Sequence, residues 1–293
     1  MERSVDSGHV AAEASAPEQA YRIVIVLWPV VLVTSAMLRT DNRAMNDHSE
    51  LISFYEEAYS QDPSSAPKYA SWRSLGAIGK ADHVRTLCAR VGLAPQSTLE
   101  VGCGDGAVLC ELHKHGFGGL LHGVEISAAA VRIAATRPQI DSVTLYDGVR
   151  LLAGDGQYEL GVLSHVLEHV LDPAGLLQEV ARACRSVVVE VPLEDNLSAR
   201  RHSKREHARE IGHLRRLSRD RILAIVDDAG LRIAAELDDP LPLEVHRFFA
   251  DTALQRAGAS AKWALRGAIH RSSPAFARRL FSLHYACLCL PER

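Results

Sequence analysis

Nowhere in the 293 residues do two cysteines stand in a Cys-x-x-Cys pair. The six that occur (Cys88, Cys103, Cys110, Cys184, Cys287 and Cys289) are scattered, which argues against a zinc ribbon or a disulfide framework and fits a reducing cytosol. A strong net charge is missing as well. The 33 Lys and Arg against 36 Asp and Glu leave −3, too little to pull the whole chain toward nucleic acid or an anionic membrane. Internal repeats are absent, which sets aside repeat arrays. So is an apolar run of membrane-spanning length. Ile23 to Val33 (IVIVLWPVVLV), weakly extended to Leu38, is shorter than the roughly 20 residues a spanning helix needs, and Pro29 interrupts it.

What remains is an ordinary globular composition, 47% hydrophobic and 24% charged, in a chain long enough to bury a substantial core. Residues 1–22 are rich in Ala, Ser and charge and read as disordered. Three readings fit the run 23–38. It lies upstream of the true start, Met45 opening the globular part; it contacts a membrane; or it is an export signal cut after Thr34-Ser35-Ala36. The domain expected to carry function spans 45–293.

Ser49 to Tyr59 fits one amphipathic helix, and Gln61 to Pro67 reads as a loop. A helix over Lys80–Val91 precedes a regular alternation. Strands are expected at Ser97–Val101, Leu120–Glu125, Val143–Tyr146, Tyr158–Ser164 and Val187–Val191. Helices are expected at Ala107–His115, Ser127–Ala135 (capped by Ser127) and Pro173–Cys184. A helix over Ser218–Ala229 and strands over Leu231–Leu237 and His284–Leu290 follow, with Asp238 to about Ser282 helical between them. This order predicts an α/β fold: a Rossmann-like, doubly wound, mostly parallel seven-stranded sheet with helices on both faces.

The sharpest signal is Leu99-Glu100-Val101-Gly102-Cys103-Gly104-Asp105-Gly106, between a strand and a helix. Its glycines allow a tight turn and close backbone approach to a ligand, and the helix start supplies free N–H groups. The spacing alone also satisfies a dinucleotide fingerprint, with Glu125 roughly 20 residues on. Glu100 separates the two readings. Its carboxylate beside the turn repels a pyrophosphate and attracts a cation.

On these residues the sequence resembles the class I S-adenosylmethionine (SAM) dependent methyltransferases, whose first motif is acidic-x-Gly-x-Gly-x-Gly. The resemblance runs from about Lys80 to Val191 and more loosely beyond, and within it the small-molecule group resembling ubiquinone-pathway enzymes is nearest. It implies SAM as cofactor, held by Glu100, Gly102, Cys103, Gly104, Gly106, Glu125, Ile126, Asp147, Gly148 and Ser164. Glu125 corresponds to the acid that grips both ribose hydroxyls, and Asp147 to one near the adenine amino group. Because SAM is a cytosolic cofactor, the cytoplasm is the expected location.

Leu163 to Pro173 (LSHVLEHVLDP) resembles the segment after the fourth strand in small-molecule methyltransferases. Its His165-x-x-Glu168-His169 also matches an inverted zinc-protease pattern, but it begins at a strand end rather than on a long helix. In some ubiquinone-pathway enzymes these positions carry a metal-linked acidic cluster. His165 replaces its first acid, so no metal is expected. His165 is the candidate base or substrate-orienting group, its imidazole titrating near neutrality; His169 and His213 are weaker candidates.

No Asn-Pro-Pro-Tyr or Asp-Pro-Pro-Tyr follows the fourth strand, the motif with which amino-methylating nucleic-acid enzymes hold a flipped base. A small or medium-sized molecule, not nucleic acid, is therefore the expected acceptor. Arg200 to Arg221 is basic and reads either as a solvated helix or loop, or as a lid meeting an acidic or phosphorylated acceptor. A non-catalytic SAM-binding adaptor and an NAD-dependent oxidoreductase are the competing functions.

Overall fold

A computed structural model describes residues 47–60 and 66–292, and for 66–70 the backbone alone. The expectations for 1–44, including the run 23–38, lie outside the described residues, as does most of the loop expected over 61–67. Two helices lead in, α1 (His48–Ser60) and α2 (Ala66–Arg90). Then come β1 (Ser97–Val101), α3 (Ala107–Lys114), β2 (Leu120–Glu125), α4 (Ala128–Ala134), β3 (Ser142–Leu145), β4 (Leu160–Ser164), α5 (Pro173–Ala183) and β5 (Val187–Pro192). After β5 follow a 3-10 turn (Ser198–Arg200), α6 (His202–Glu210), α7 (Arg219–Asp228), β6 (Leu231–Asp239), α8 (Leu243–Arg247), α9 (Ala253–Ser272), α10 (Pro274–Leu280) and β7 (His284–Pro291).

The seven strands form one sheet in the order β3-β2-β1-β4-β5-β7-β6. β1 to β5 pair in parallel, and β7 runs antiparallel between β5 and β6. The chain starts in the middle, winds outward to β3, and returns beside β1 as β4. That reversal creates a crevice outside the carboxyl ends of β1 and β4, where doubly wound sheets bind ligands.

Strands buried on both faces read as continuous apolar runs, and β4 and β5 are buried at every position. The two faces are filled from different helices. Val187, Val189 and Val191 pack with Leu176, Leu177 and Val180 of α5 and Ile222 and Ile225 of α7. Val188 and Leu288 pack on the other face with Ala77, Ala81, Val84 and Leu87 of α2 and Val108 and Leu112 of α3. The two-residue period therefore turns Glu190, His284 and Glu100 toward the α2 face.

Several expected boundaries need correction, among them the end of β6, which runs to Asp239 past the expected Leu237. α2 begins at Ala66, fourteen residues before the expected Lys80 and inside the expected loop. Gly76 and Gly79 weaken its local helix signal by about 1 kcal/mol each, but the buried Ala77, Ala81, Val84 and Leu87 hold the helix to the sheet. β3 ends at Leu145 instead of Tyr146. β4 starts at Leu160, because Tyr158 makes only an isolated bridge to Cys184.

Candidate active site

The bend after β1 depends on left-handed backbone. Gly102, Gly104 and Gly106 have φ of 72°, 54° and 76°. A Cβ on Gly102 would lie 2.7 Å from Val166, and one on Gly104 would lie 2.5 Å from the Tyr59 hydroxyl. The cradle is thus closed by one residue from the loop after β4 and one from α1. Gly106 turns elsewhere, packing against Ile140 and Ala134. The Cys103 side chain is buried with Leu109 and Leu121 and fills the space beside Gly123.

Two buried carboxyls stand at the tips of adjacent strands. Glu100 pairs in register with Gly123, two residues before Glu125. Glu125 accepts hydrogen bonds from the N–H groups of Gly104 (2.8 Å), Ile126 (2.7 Å) and Ser127 (3.3 Å). Burial raises its pKa even so, against those three bonds. Glu100 is pushed up to about 8, first by burial and then by Asp105 and Glu125, against Lys80 and the Leu109 backbone. Its Oε2 has no hydrogen-bond partner among the described residues. A glycine cradle flanked by two acids, one with an orphaned oxygen, fits a positively charged ligand and does not fit a pyrophosphate.

Ile126 and Gly148 meet beside this pair: a Cβ on Gly148 would be 3.4 Å from the Ile126 side chain. Asp147 is exposed and accepts from the N–H groups of Arg150 and Val149, both at 2.8 Å, bonds that hold its carboxyl below the usual range. Ser164 is buried at the end of β4, its hydroxyl without a partner among the described residues.

The sequence suggests that Leu51 to Trp72 helps build the acceptor pocket, but not which residues of α1 reach the glycine bend. Tyr59 lies over Gly104, and Arg73, 5.4 Å from the Tyr59 ring, pairs with Asp105 at 2.8 Å. Glu56 accepts from the Ser127 hydroxyl and the Ala129 N–H, each at 2.9 Å, which ties α1 to the start of α4. Tyr55 meets the edge of His169 at 5.7 Å. The (i, i+4) pair Tyr55 and Tyr59 was the available signal. It gives a shared helix face but not what that face covers.

Beyond β4 lies a dense group of histidines and carboxylates. His165 has φ 58°, rare outside glycine, and its N–H donates to the Glu190 carbonyl at 2.8 Å. Its Nε2 is 3.4 Å from His284 Nδ1 and 3.6 Å from Glu190 Oε1, and its Nδ1 is 3.4 Å from Glu168 Oε1. His284 Nδ1 is 3.0 Å from Glu190 Oε1. Glu190 Oε2 lies 3.3 Å from His83 Nδ1, and His83 Nε2 lies 3.2 Å from Asp239. Burial, Lys80 and His284 hold His165 well below its ordinary pKa, against Glu190, so it is neutral. Burial alone would raise Glu190, but the close imidazoles of His165, His284 (which donates a hydrogen bond to it) and His83 outweigh it and keep the carboxylate ionised. Burial would lower His83, yet Asp239 and Glu190 bring it up to about 9.

A second group adjoins the first. His169 Nδ1 donates to the Gly212 carbonyl at 3.0 Å, and His213 Nδ1 donates to Glu194 at 2.7 Å. Glu168 is buried and pushed up to about 7 by burial, against His213 and Lys80. Neither of its oxygens has a hydrogen-bond partner among the described residues. Lys204 of α6 and Lys262 and Arg266 of α9 repel one another, Glu194 offsets this at Lys204, and burial brings Arg266 down to about 10.

Among the described residues, no helix is long and apolar enough to cross a membrane. Residues 70–236 match the model of a family described as a methyltransferase domain. No curated protein matches the chain. Among solved structures it is similar to the geranyl diphosphate C-methyltransferase of Streptomyces coelicolor A3(2), in complex with Mg2+, geranyl diphosphate and S-adenosyl-L-homocysteine. There the identity is 15% and the TM-score 0.53, over 73% of this chain and 77% of that one. A geranyl diphosphate methyltransferase in complex with SAM is 18% identical, with TM-score 0.53 over 73% and 85%. The [4+2]-cyclase SpnF is 16% identical, with TM-score 0.50 over 73% and 81%.

Proposed function

This chain belongs to the methyltransferase-domain family, and on that premise we propose that it transfers the methyl group of SAM to a small-molecule acceptor. The carrying observation is the pair of buried acids, Glu100 and Glu125, at neighbouring strand tips around the Gly102–Gly104 bend. SAM supplies a methyl group already activated on a sulfonium, so alignment and exclusion of water are the main tasks left to the protein. Alignment of this kind contributes roughly 7–11 kcal/mol. Glu125 receives the ribose hydroxyls, Glu100 attracts the cationic end, and Asp147 serves the adenine side. Ile126, Gly148 and Ser164 line the site, while Gly102 and Gly104 leave room for it. Tyr55 and Tyr59 roof the crevice against water.

His165, neutral and at the carboxyl end of β4, orients the acceptor or accepts its proton. The mutual repulsion of Lys204, Lys262 and Arg266 favours an acceptor that carries a carboxylate or phosphate. A thermal-shift comparison tests the cofactor. SAM and S-adenosylhomocysteine should both raise the melting temperature and NAD should leave it unchanged; stabilisation by NAD alone would reverse the reading. His165→Ala should reduce turnover far more than SAM affinity. Equal turnover in a radiolabelled methyl-transfer assay would remove His165 from the mechanism.

A further inference from the structure

We propose that His165, Glu190 and His284 together hold one divalent metal ion of the zinc or cobalt type at the acceptor end of the site. Their facing atoms, His165 Nε2, His284 Nδ1 and Glu190 Oε1, are separated by 3.0, 3.4 and 3.6 Å. A tetrahedral ion with bonds of about 2.0–2.1 Å needs ligand atoms about 3.4 Å apart. Two imidazole nitrogens and one carboxylate oxygen are the donor set that borderline divalent ions accept, and three protein ligands leave a fourth position open. Glu190 is buried, whereas the side chains of His165 and His284 keep 21% and 17% of their surface exposed, so the three ligand atoms can be reached from solvent.

The surroundings are those of a metal site as well. Ligating histidines donate their second N–H to a carboxylate or carbonyl, and ligating carboxylates are themselves held by a donor. His165 turns its Nδ1 toward Glu168 Oε1 at 3.4 Å. The outer oxygen of Glu190 lies 3.3 Å from His83, which is anchored in turn on Asp239. Glu168 supplies an independent sign. It is buried, neither of its oxygens has a hydrogen-bond partner among the described residues, and His165 Nδ1 lies 3.4 Å from one of them. That nitrogen carries its proton when Nε2 is given to an ion. Lys80 of α2 opposes a cation here, but Glu168 and Glu190 outnumber it. The left-handed backbone of His165 is the local strain that aims its ring at the other two ligands.

The neighbouring Glu168, His169 and His213 are more open, with 3.9 Å between Glu168 and His169 Nε2, and serve as support. The expectation of no metal rests on the replacement of one acid by His165 and did not weigh Glu190 and His284, which lie far apart in sequence on the neighbouring strands β5 and β7. An ion held there would polarise an oxygen of the acceptor and lower its pKa, and His165 would then serve by holding the ion and not as the proton acceptor. The site does not depend on the cofactor reading.

The test uses the full chain, stripped with a chelator and titrated with Co2+ and then Zn2+. S-adenosylhomocysteine affinity is measured in the same samples as a check of the fold and of the cofactor site. One equivalent of Co2+ with the visible bands of a four- or five-coordinate ion, and at least tenfold weaker binding in both His284→Ala and Glu190→Gln, are expected. Absence of stoichiometric binding to the wild type overturns the proposal. So does a thiolate-to-cobalt charge-transfer band, which would put the ion on cysteine, or unchanged affinity in a variant that still binds S-adenosylhomocysteine. Failure of the metal with intact S-adenosylhomocysteine binding leaves the methyltransferase reading standing.

Discussion

Glu100 is the residue on which charge and cofactor meet. In the free protein its carboxyl sits at about 8 against an ordinary 4.5, so it is mostly protonated at pH 7. A cation bound beside it favours the ionised form, pulls the pKa down and releases the proton. SAM affinity should therefore rise with pH up to about 8 and level off above it. Calorimetry at pH 7 in two buffers of different ionisation enthalpy should register proton release in the wild type and none in Glu100→Gln. Equal release in both would detach Glu100 from the ligand. Glu100, Gly102 and Gly104 were legible because they lie in one stretch of sequence, and Glu125 because it ends the next strand. The surroundings of Cys103 and Gly106 were not. Whether such a position faces the crevice or the core depends on neighbours such as Ile140 and Leu121, which enter from other elements.

At the scale of elements, the start of α4 joins structure to site. Ser127, fully buried, accepts from the Ala130 N–H as N-cap and donates its hydroxyl to Glu56 of α1. Ser127→Ala should cost about 0.5–2 kcal/mol, the range for an N-cap, read as a lower denaturation midpoint in urea. An unchanged midpoint would mean the cap is not used. The βα alternation was legible because Val, Leu and Ile runs end at Gly or Pro, as at Gly102 and Pro192. The length of α2 was hidden because Gly76 and Gly79 speak against a helix locally while the sheet face supports it. Which residues of α1 reach the glycine bend was hidden too, since periodicity defines a face but not its partner.

Across the whole molecule, pH should act through the charges buried between α2 and the sheet. His83 is raised to about 9, so its ion pairs with Asp239 and Glu190 stabilise the fold fully below pH 6.5 and fade as pH climbs through 9. Glu190 and Asp239 are depressed, so their share is present above the ordinary carboxylate range and is lost as pH falls through it. Glu100 acts in the same direction as His83, its raised pKa lowering stability as pH rises from 4.5 to 8. The melting temperature should therefore fall between pH 6.5 and 9, and His83→Gln should flatten that fall. A slope unchanged by the substitution would contradict the network. Sequence order predicted the seven-stranded sheet, but the strand order that gathers His83, Glu190 and His284 came only from the fold.

The most direct measurement is calorimetric titration of S-adenosylhomocysteine into the wild type and Glu125→Ala. Each charge-assisted bond to a ribose hydroxyl is worth roughly 1.5–3 kcal/mol. One-to-one binding to the wild type is predicted, weakened at least about tenfold in the variant. No binding to the wild type, or the same affinity in both proteins, would contradict the site.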